Sequence, residues 1–271
     1  FDEVEILNHI KNRPKIHLKT DTGMGRLGTR GKTFIRLLEK IRKNNLTFDG
    51  LMTHFASTED FTEHSYSKLQ LSIFHENILE AERQGFQNLV RHAASSASAI
   101  LFKEAHFDMV RVGISLYGLW PSMQTRLSLS LMGRGEFRLT PALTWKTRVV
   151  HIQELETGSL VGYGSTYKTN YPTRIAVLPV GYFEGLDRRL SNQGHVLIRG
   201  ERARIIGRVC MNMCMADVTH IKDSAIGDIA VIIGESGNES ITADDIANSI
   251  GTINYEVVAG IHGDIPRIIV E

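Results

Sequence analysis

Cysteine is scarce in this chain: only Cys210 and Cys214 occur, in the stretch CMNMC. Without a second cysteine pair or a suitably spaced histidine pair they cannot complete a zinc site, so they read as reduced core thiols and no metal is expected. An excess of either charge is also missing. Thirty-one basic residues against thirty acidic ones leave a formal net charge of +1, which offers no electrostatic footprint for nucleic acid or an anionic membrane and points to a small partner. No apolar run reaches the ~18 residues of a membrane span. The opening FDEVEILNHIKNRP lacks the basic and apolar regions of a secretory signal, so a cytoplasmic location fits. It begins without methionine, directly on an amphipathic pattern of Val4, Leu7 and Ile10, like a helix entered midway. Low-complexity linkers and internal repeats are absent.

What is present is an ordinary globular composition, 42% hydrophobic and 23% charged over 271 residues, enough for two modest domains. Residues 1–118 alternate short apolar strands (KIHLKT, GLMTHFA, LVRHAAS and DMVRVGI) with amphipathic helices expected near 32–44, 66–84 and 97–105. Polar residues cluster where each expected strand ends, as they do at the carboxyl ends of strands in parallel α/β folds. Four strands cannot close a barrel, for which eight is usual, so either a different partner covers the sheet's other face or half of a barrel is absent, and an uncovered apolar face is expected to favour aggregation or recruitment of another chain. Residues 119–271 turn to runs rich in β-branched residues broken by glycine, a mainly β domain. Thr242 reads as an N-cap with Asp245 at the third helical position of one short helix.

Several stretches carry chemistry. In KTDTGMGRLG the glycines permit positive φ and close backbone approach, while Arg26 offers a planar fork of donors to a carboxylate, a phosphate or a phenolate, or else a surface ion pair. The main chain around Gly113, with Ser96 adding a hydroxyl, suits a phosphate, although small residues before a helix also serve as caps. His54 ends a strand and is as readily a bonded core histidine as a functional one. Tyr163, between two glycines in GYGSTY, is presented by a turn, and as a proton-transfer base it needs nearby positive charge.

Taken in order, KTDTGMGRLG, THFAS, HAASSAS, DMVRVGISLYGLWPS, GYGSTY, LPVGYFEG, GRVCMNM and INYEVVAGIHGDIPR resemble the alanine racemases, fold type III enzymes that use pyridoxal 5'-phosphate. The resemblance runs from Lys19 to the end of the chain. It implies the C-terminal half of a TIM-type (β/α)8 barrel, strands five to eight, over residues 1–118, followed by the family's β-rich domain over 119–271. It also implies interconversion of L-alanine and D-alanine for peptidoglycan, in a homodimer with shared active sites. Tyr163 matches the tyrosine that exchanges the substrate's α-proton in the neighbouring subunit's site. Arg26 matches the arginine that contacts the cofactor's phenolic oxygen and the substrate carboxylate, and Met211 the residue whose N–H binds that carboxylate. Lys19 matches a lysine that is often carbamylated and then orients Arg26. Arg111 matches the arginine facing the pyridine nitrogen, where its fixed charge disfavours ring protonation. His54 matches the histidine linking Arg111 and Tyr163, and Ser96, Gly113, Ile114 and Tyr255 the phosphate cradle.

Three positions depart from the family pattern: Ser95 replaces asparagine, Asn212 replaces aspartate, and GYFEG stands for GYADG. The segment of the AVVKANAYGHG type that bears the Schiff-base lysine has no counterpart in these 271 residues, so the chain alone is expected to be inactive. Two other readings follow: a non-catalytic fragment that binds the cofactor or assembles with a partner, and a related fold type III enzyme such as a serine racemase or an amino-acid decarboxylase.

Overall fold

The computed structural model describes residues 2–58 and 65–270. The chain divides between Thr140 and Pro141 into two units. The first contains helix α1 (Asp2–Asn8), strand β1 (Ile16–Lys19), helix α2 (Gly31–Lys43), strand β2 (Phe48–Met52), helix α3 (Ser65–Arg83), strand β3 (Val90–His92), helix α4 (Ser96–Leu101) and helix α5 (Met123–Leu131). Strands β1, β2 and β3 pair in that order, all parallel, as a half-barrel sheet.

Period-two alternation decides what each side of this sheet carries. Leu18 and Leu51 turn toward the helices and join the core formed with Phe34, Leu38, Phe74 and Ile78, where Phe74 and Leu38 are wholly buried. The stripe of Phe34, Leu37, Leu38 and Ile41 buries α2 as its periodicity requires. The intervening residues His17, Lys19, Gly50, Met52, Val90 and His92 share the opposite face by register. Half of these residues, His17, Lys19 and His92, are polar, so the face is mixed rather than the apolar one expected.

Two further expectations change. DMVRVGI does not form a fourth ladder strand among the described residues: it bonds through Asp108 N–H to Arg91 O (3.1 Å) and Arg111 N–H to Ala94 O (2.9 Å), on the β3 side alone. The division falls after Thr140 rather than at 118, because α5 packs on α4 and belongs to the first unit.

The second unit is mainly β. It consists of β4 (Trp145–Arg148), β5 (His151–Leu155), β6 (Leu160–Val161), β7 (Tyr167–Lys168), β8 (Thr173–Leu178), β9 (His195–Ile198), β10 (Glu201–Ile205), β11 (Cys214–Asp217), β12 (Ile229–Ser236), β13 (Glu239–Ile241), and helices α6 (Ala243–Ile250) and α7 (Asn254–Ala259). The main sheet runs β13-β12-β9-β10-β11-β8-β5, with β4 on β12. Thr242 and Asp245 form the reciprocal capping box of α6 that the sequence indicates; α7 is a second helix that the sequence reading lacked.

Candidate active site

Lys19 ends β1 and enters the glycine-rich loop. Gly28 is held at φ +121°, and a Cβ there would meet Asp21 N at 2.6 Å, so glycine is required on both conformational and steric grounds. The loop folds around the Asp21 carboxylate, which accepts the N–H groups of Gly23 (3.0 Å) and Gly25 (3.1 Å) and pairs with Arg30 at 2.7 Å. Together these donors hold its pKa below the usual range against burial. Arg30, absent from the sequence reading, is thus the arginine that stabilises the loop. Arg26 is exposed and makes no hydrogen bond or ion pair among the described residues. Lys19 is half-buried, and burial followed by the charges of Arg26 and Arg111 lowers its pKa, with Asp21 opposing.

At the β2 end lies a buried hydroxyl-amide cluster. Thr53 Oγ1 lies 2.8 Å from Thr22 Oγ1 and donates to Thr20 O, while Gln70 of α3 donates to His54 O (3.2 Å) and accepts from Ala56 N–H (2.9 Å). His54 lies beside Arg111, whose Nη2 is 3.2 Å from His54 Nδ1. Arg111 also donates through Nη2 to Thr53 O (2.9 Å) and Ala93 O (3.2 Å), and through Nη1 to His92 Nδ1 (2.7 Å). Its Nε–H has no acceptor among the described residues, and Nη1 spends only one of its two hydrogens, so the fixed cation keeps uncommitted donors.

Ser95 and Ser98 cap α4 reciprocally, so Ser95 is committed locally. Ser96 Oγ accepts the N–H of Gly113 (3.0 Å) and of Ser115 (3.4 Å), which gathers the backbone of residues 113–115 beside it. Ile114 N–H between them has no acceptor among the described residues, and a Cβ on Gly113 would meet nothing within 4 Å. An open space bordered by a free main-chain donor and a hydroxyl suits a phosphate.

In the second unit, the turn of Tyr163–Ser165 presents Tyr163, 73% exposed, as its flanking glycines suggest. The Arg208 guanidinium packs on Gly164, where a Cβ would meet its Cζ at 3.3 Å. Tyr163, Arg208, Met211 and Asn212 line one cavity of about 310 Å³. The Met211 loop is pinned by Tyr182 N–H donating to Cys210 O (3.1 Å) and Phe183 N–H to Met211 O (2.8 Å). Glu184, the acid of GYFEG, accepts Gly181 N–H at 2.8 Å. Met211 N–H itself has no acceptor among the described residues. Tyr255 sits on α7, partly exposed.

The first unit therefore assembles Lys19, His54, Ser96, Arg111, Gly113 and Ile114 at one end of its sheet, and the second assembles Tyr163, Met211 and Asn212. His17, His92, Thr53 and Gln70 were missed by sequence reasoning. The available signal was strand parity, which puts His17 on the same face as Lys19.

A parallel half-barrel with a cation and free main-chain donors at its strand ends, joined to a β unit, defines an α/β-barrel enzyme architecture. Residues 2–121 match the alanine racemase N-terminal domain model and residues 142–269 the C-terminal domain model. The alanine racemase of Leptospira interrogans is 56% identical over 270 residues, covering 100% of this chain and 69% of the relative; that of Halothermothrix orenii is 44% identical, covering 93% and 65%. Among solved structures, alanine racemase from Bacillus anthracis with bound L-Ala-P superposes with a TM-score of 0.88 at 33% identity, over 100% of this chain and 69% of that one. The chain belongs to the alanine racemase family.

Proposed function

We propose that this chain interconverts L-alanine and D-alanine with pyridoxal 5'-phosphate, its 271 residues supplying strands five to eight of the family's barrel and the β domain. The observation that carries the reading is the coincidence, at one sheet end, of the free Ile114 N–H beside Ser96 with the uncommitted Nε–H of Arg111. These residues fit the cofactor. Ser96, Gly113 and Ile114 would hold its phosphate, a role the resemblance also gives to Tyr255, and Arg111 would face its pyridine nitrogen as a fixed cation. When bound, the cofactor supplies an electron sink for the substrate α-carbon.

The chain's own residues supply the rest. Arg111 stays cationic, which keeps a proton off the pyridine nitrogen and limits side reactions. By the resemblance, Arg26 of the first unit and Met211 N–H of the second each take a substrate carboxylate, a role for which neither has a competing partner among the described residues. Asn212 and Ser95 act from behind these groups, and His54 connects Arg111 to the proton-transfer machinery. Tyr163, displayed on its turn, exchanges a proton at the substrate α-carbon in a partner subunit's site, so the working form is a homodimer. Lys19, placed against two arginines with its pKa lowered, is favoured to react with carbon dioxide; the resulting carbamate anion would orient Arg26. A soluble cytoplasmic enzyme fits this role; no described helix is long and apolar enough to cross a membrane.

The second proton-transfer group, a cofactor-anchoring lysine, is supplied from outside these 271 residues, since they contain no K-A-x-A-Y-G-H-G type segment. D-alanine formation is measured for the chain alone and for the chain co-expressed with a lysine-bearing segment from a relative. No turnover alone and turnover by the pair is expected, with Y163F lowering kcat in the pair by roughly 100-fold or more. Folded partners that bind pyridoxal phosphate and never racemise alanine would refute the assignment.

A further inference from the structure

Beyond the groups at the sheet's end, the half-barrel contains a second polar assembly that no catalytic role yet explains. His17 on β1 and His92 on β3 face one another across β2, their rings 4.9 Å apart between centroids and His17 Nδ1 2.7 Å from His92 Nε2. His92 is 3% exposed. Gly50 on β2 makes the crossing possible: a Cβ there would fall 2.5 Å from His17 Cε1 and closer still to Nδ1. His17 Nε2 lies 3.7 Å from Asp49 Oδ2, and Asp49 pairs with Lys15 at 2.9 Å.

The direction of these bonds follows from donor chemistry. A guanidinium only donates, so His92 Nδ1, 2.7 Å from Arg111 Nη1, must present its lone pair. The proton of neutral His92 therefore sits on Nε2 and points at His17 Nδ1, which must accept. His17 then carries its proton on Nε2, toward Asp49. A proton added to His92 would enter at Nδ1 and meet the Arg111 donor. One added to His17 would enter at Nδ1 and force His92 into that same arrangement.

We propose that His17 is a positioning residue for Arg111, acting through His92 along the one-way chain Arg111 to His92 to His17, with Asp49 3.7 Å beyond the far ring nitrogen of His17. Resting on the proposed function, the chain's purpose is to fix the guanidinium so that its uncommitted Nε–H has one direction, and to keep the neighbouring imidazole neutral. Arg111 then remains the cation opposite the ring nitrogen. The charged groups facing the histidine pair are Arg111 on one side and Asp49, with its partner Lys15, on the other.

The test uses the full chain without cofactor and reads nitrogen NMR of the histidines together with hydrogen exchange at Arg111 Nη1–H, the donor to His92. In the wild type at about pH 6, His92 is expected as the Nε2–H tautomer; finding it protonated at Nδ1 overturns the proposal without any variant having to fold. H17L removes the acceptor of His92 Nε2–H and is expected to quicken Arg111 Nη1–H exchange about tenfold or more, by loosening the charge-assisted hydrogen bond from Arg111 to His92. H17N offers Oδ1 in place of Nδ1 and is expected to hold exchange within about threefold of wild type, although leucine fills the position more completely. Unchanged exchange in a folded H17L, or equal loss in H17N and H17L, overturns the proposal. Failure of the chain co-expressed with a lysine-bearing segment to racemise alanine, both being folded, would defeat the proposed function and leave these readings unaffected.

Discussion

Acid should loosen the first unit through one identifiable side chain. Burial, then the charge of Arg111 and the proximity of His17, push the His92 pKa from 6.5 down to about 4. Between those values the unfolded chain binds a proton that the folded chain refuses, so stability falls as pH drops, by up to about 1.4 kcal/mol per pH unit. Above pH 6.5 the full contribution is present, and below about 4 both states are protonated and nothing more is lost. The gap from 6.5 to about 4 spans about 2.5 units, which gives about 3 kcal/mol. An H92N variant has no imidazole to protonate; it costs stability at neutral pH, but its deficit relative to wild type should shrink by about 3 kcal/mol between pH 7 and 4. Groups that do not touch position 92 titrate alike in both proteins and cancel. Fluorine NMR of 5-fluorotryptophan protein during urea unfolding separates the units, because Trp120 lies in the first and Trp145 in the second. A deficit constant within about 1 kcal/mol across that range would refute the argument.

Three further outcomes follow from the same geometry. Burial pushes the Cys214 thiol up to about 12 and raises Cys210 as well, so a thiol reagent at pH 8 should reach the half-buried Cys210 first and Cys214 only at the rate of global unfolding; a single fast phase from both would contradict this. Gly181 faces the Met211 loop so closely that a Cβ would overlap the Cys210 carbonyl and lie 2.6 Å from Met211 C. G181A should therefore cost the second unit about 1–3 kcal/mol by its thermal melt and expose the Tyr182 amide to exchange. Q70L strips His54 O of a donor and Ala56 N–H of its acceptor in a buried setting, so urea unfolding of the first unit should register a loss of about 2 kcal/mol or more, and an unchanged midpoint would show that water replaces the amide.

How far the sequence could be read depended on whether a residue's surroundings were local. The α2 stripe and the α6 capping box are properties of a few neighbouring residues, and both appear as expected. DMVRVGI failed as a strand because its apolar alternation says nothing about neighbours, and it found backbone partners on one side alone. α5 escaped notice because LSLSL alternates with the period of a strand; its buried face is Thr125, Ser128 and Leu129, with Ser122 accepting Thr125 N–H at the cap. At the site, glycine-flanked Tyr163 was legible because a turn displays it whatever the rest of the fold does. The Asp21 to Arg30 pair and the His17 to His92 contact were not: the first needs the loop's path, and the second joins residues 75 apart in sequence, placed together by strand order and by a glycine between them.

The distribution of buried polarity in the first unit bears on why the sheet is built this way. Thr20, Thr22, Thr53, Gln70 and His92 are all buried within one end of a small parallel sheet, and each has a hydrogen-bond partner. Apolar residues of similar size would serve packing at least as well, because a satisfied buried hydrogen bond contributes only about 1 kcal/mol net and an unsatisfied one costs more than that. Stability therefore does not account for the cluster. Direction does: every one of these bonds has a fixed angle, and together they constrain the backbone of residues 53 and 54 and the plane of Arg111. A sheet face filled with leucine would leave Arg111 its bonds to the Thr53 and Ala93 carbonyls through Nη2 but take away the His92 acceptor that fixes Nη1. The polar cluster trades interchangeable packing for a guanidinium with one orientation, the property that a cation placed opposite a single ring nitrogen requires.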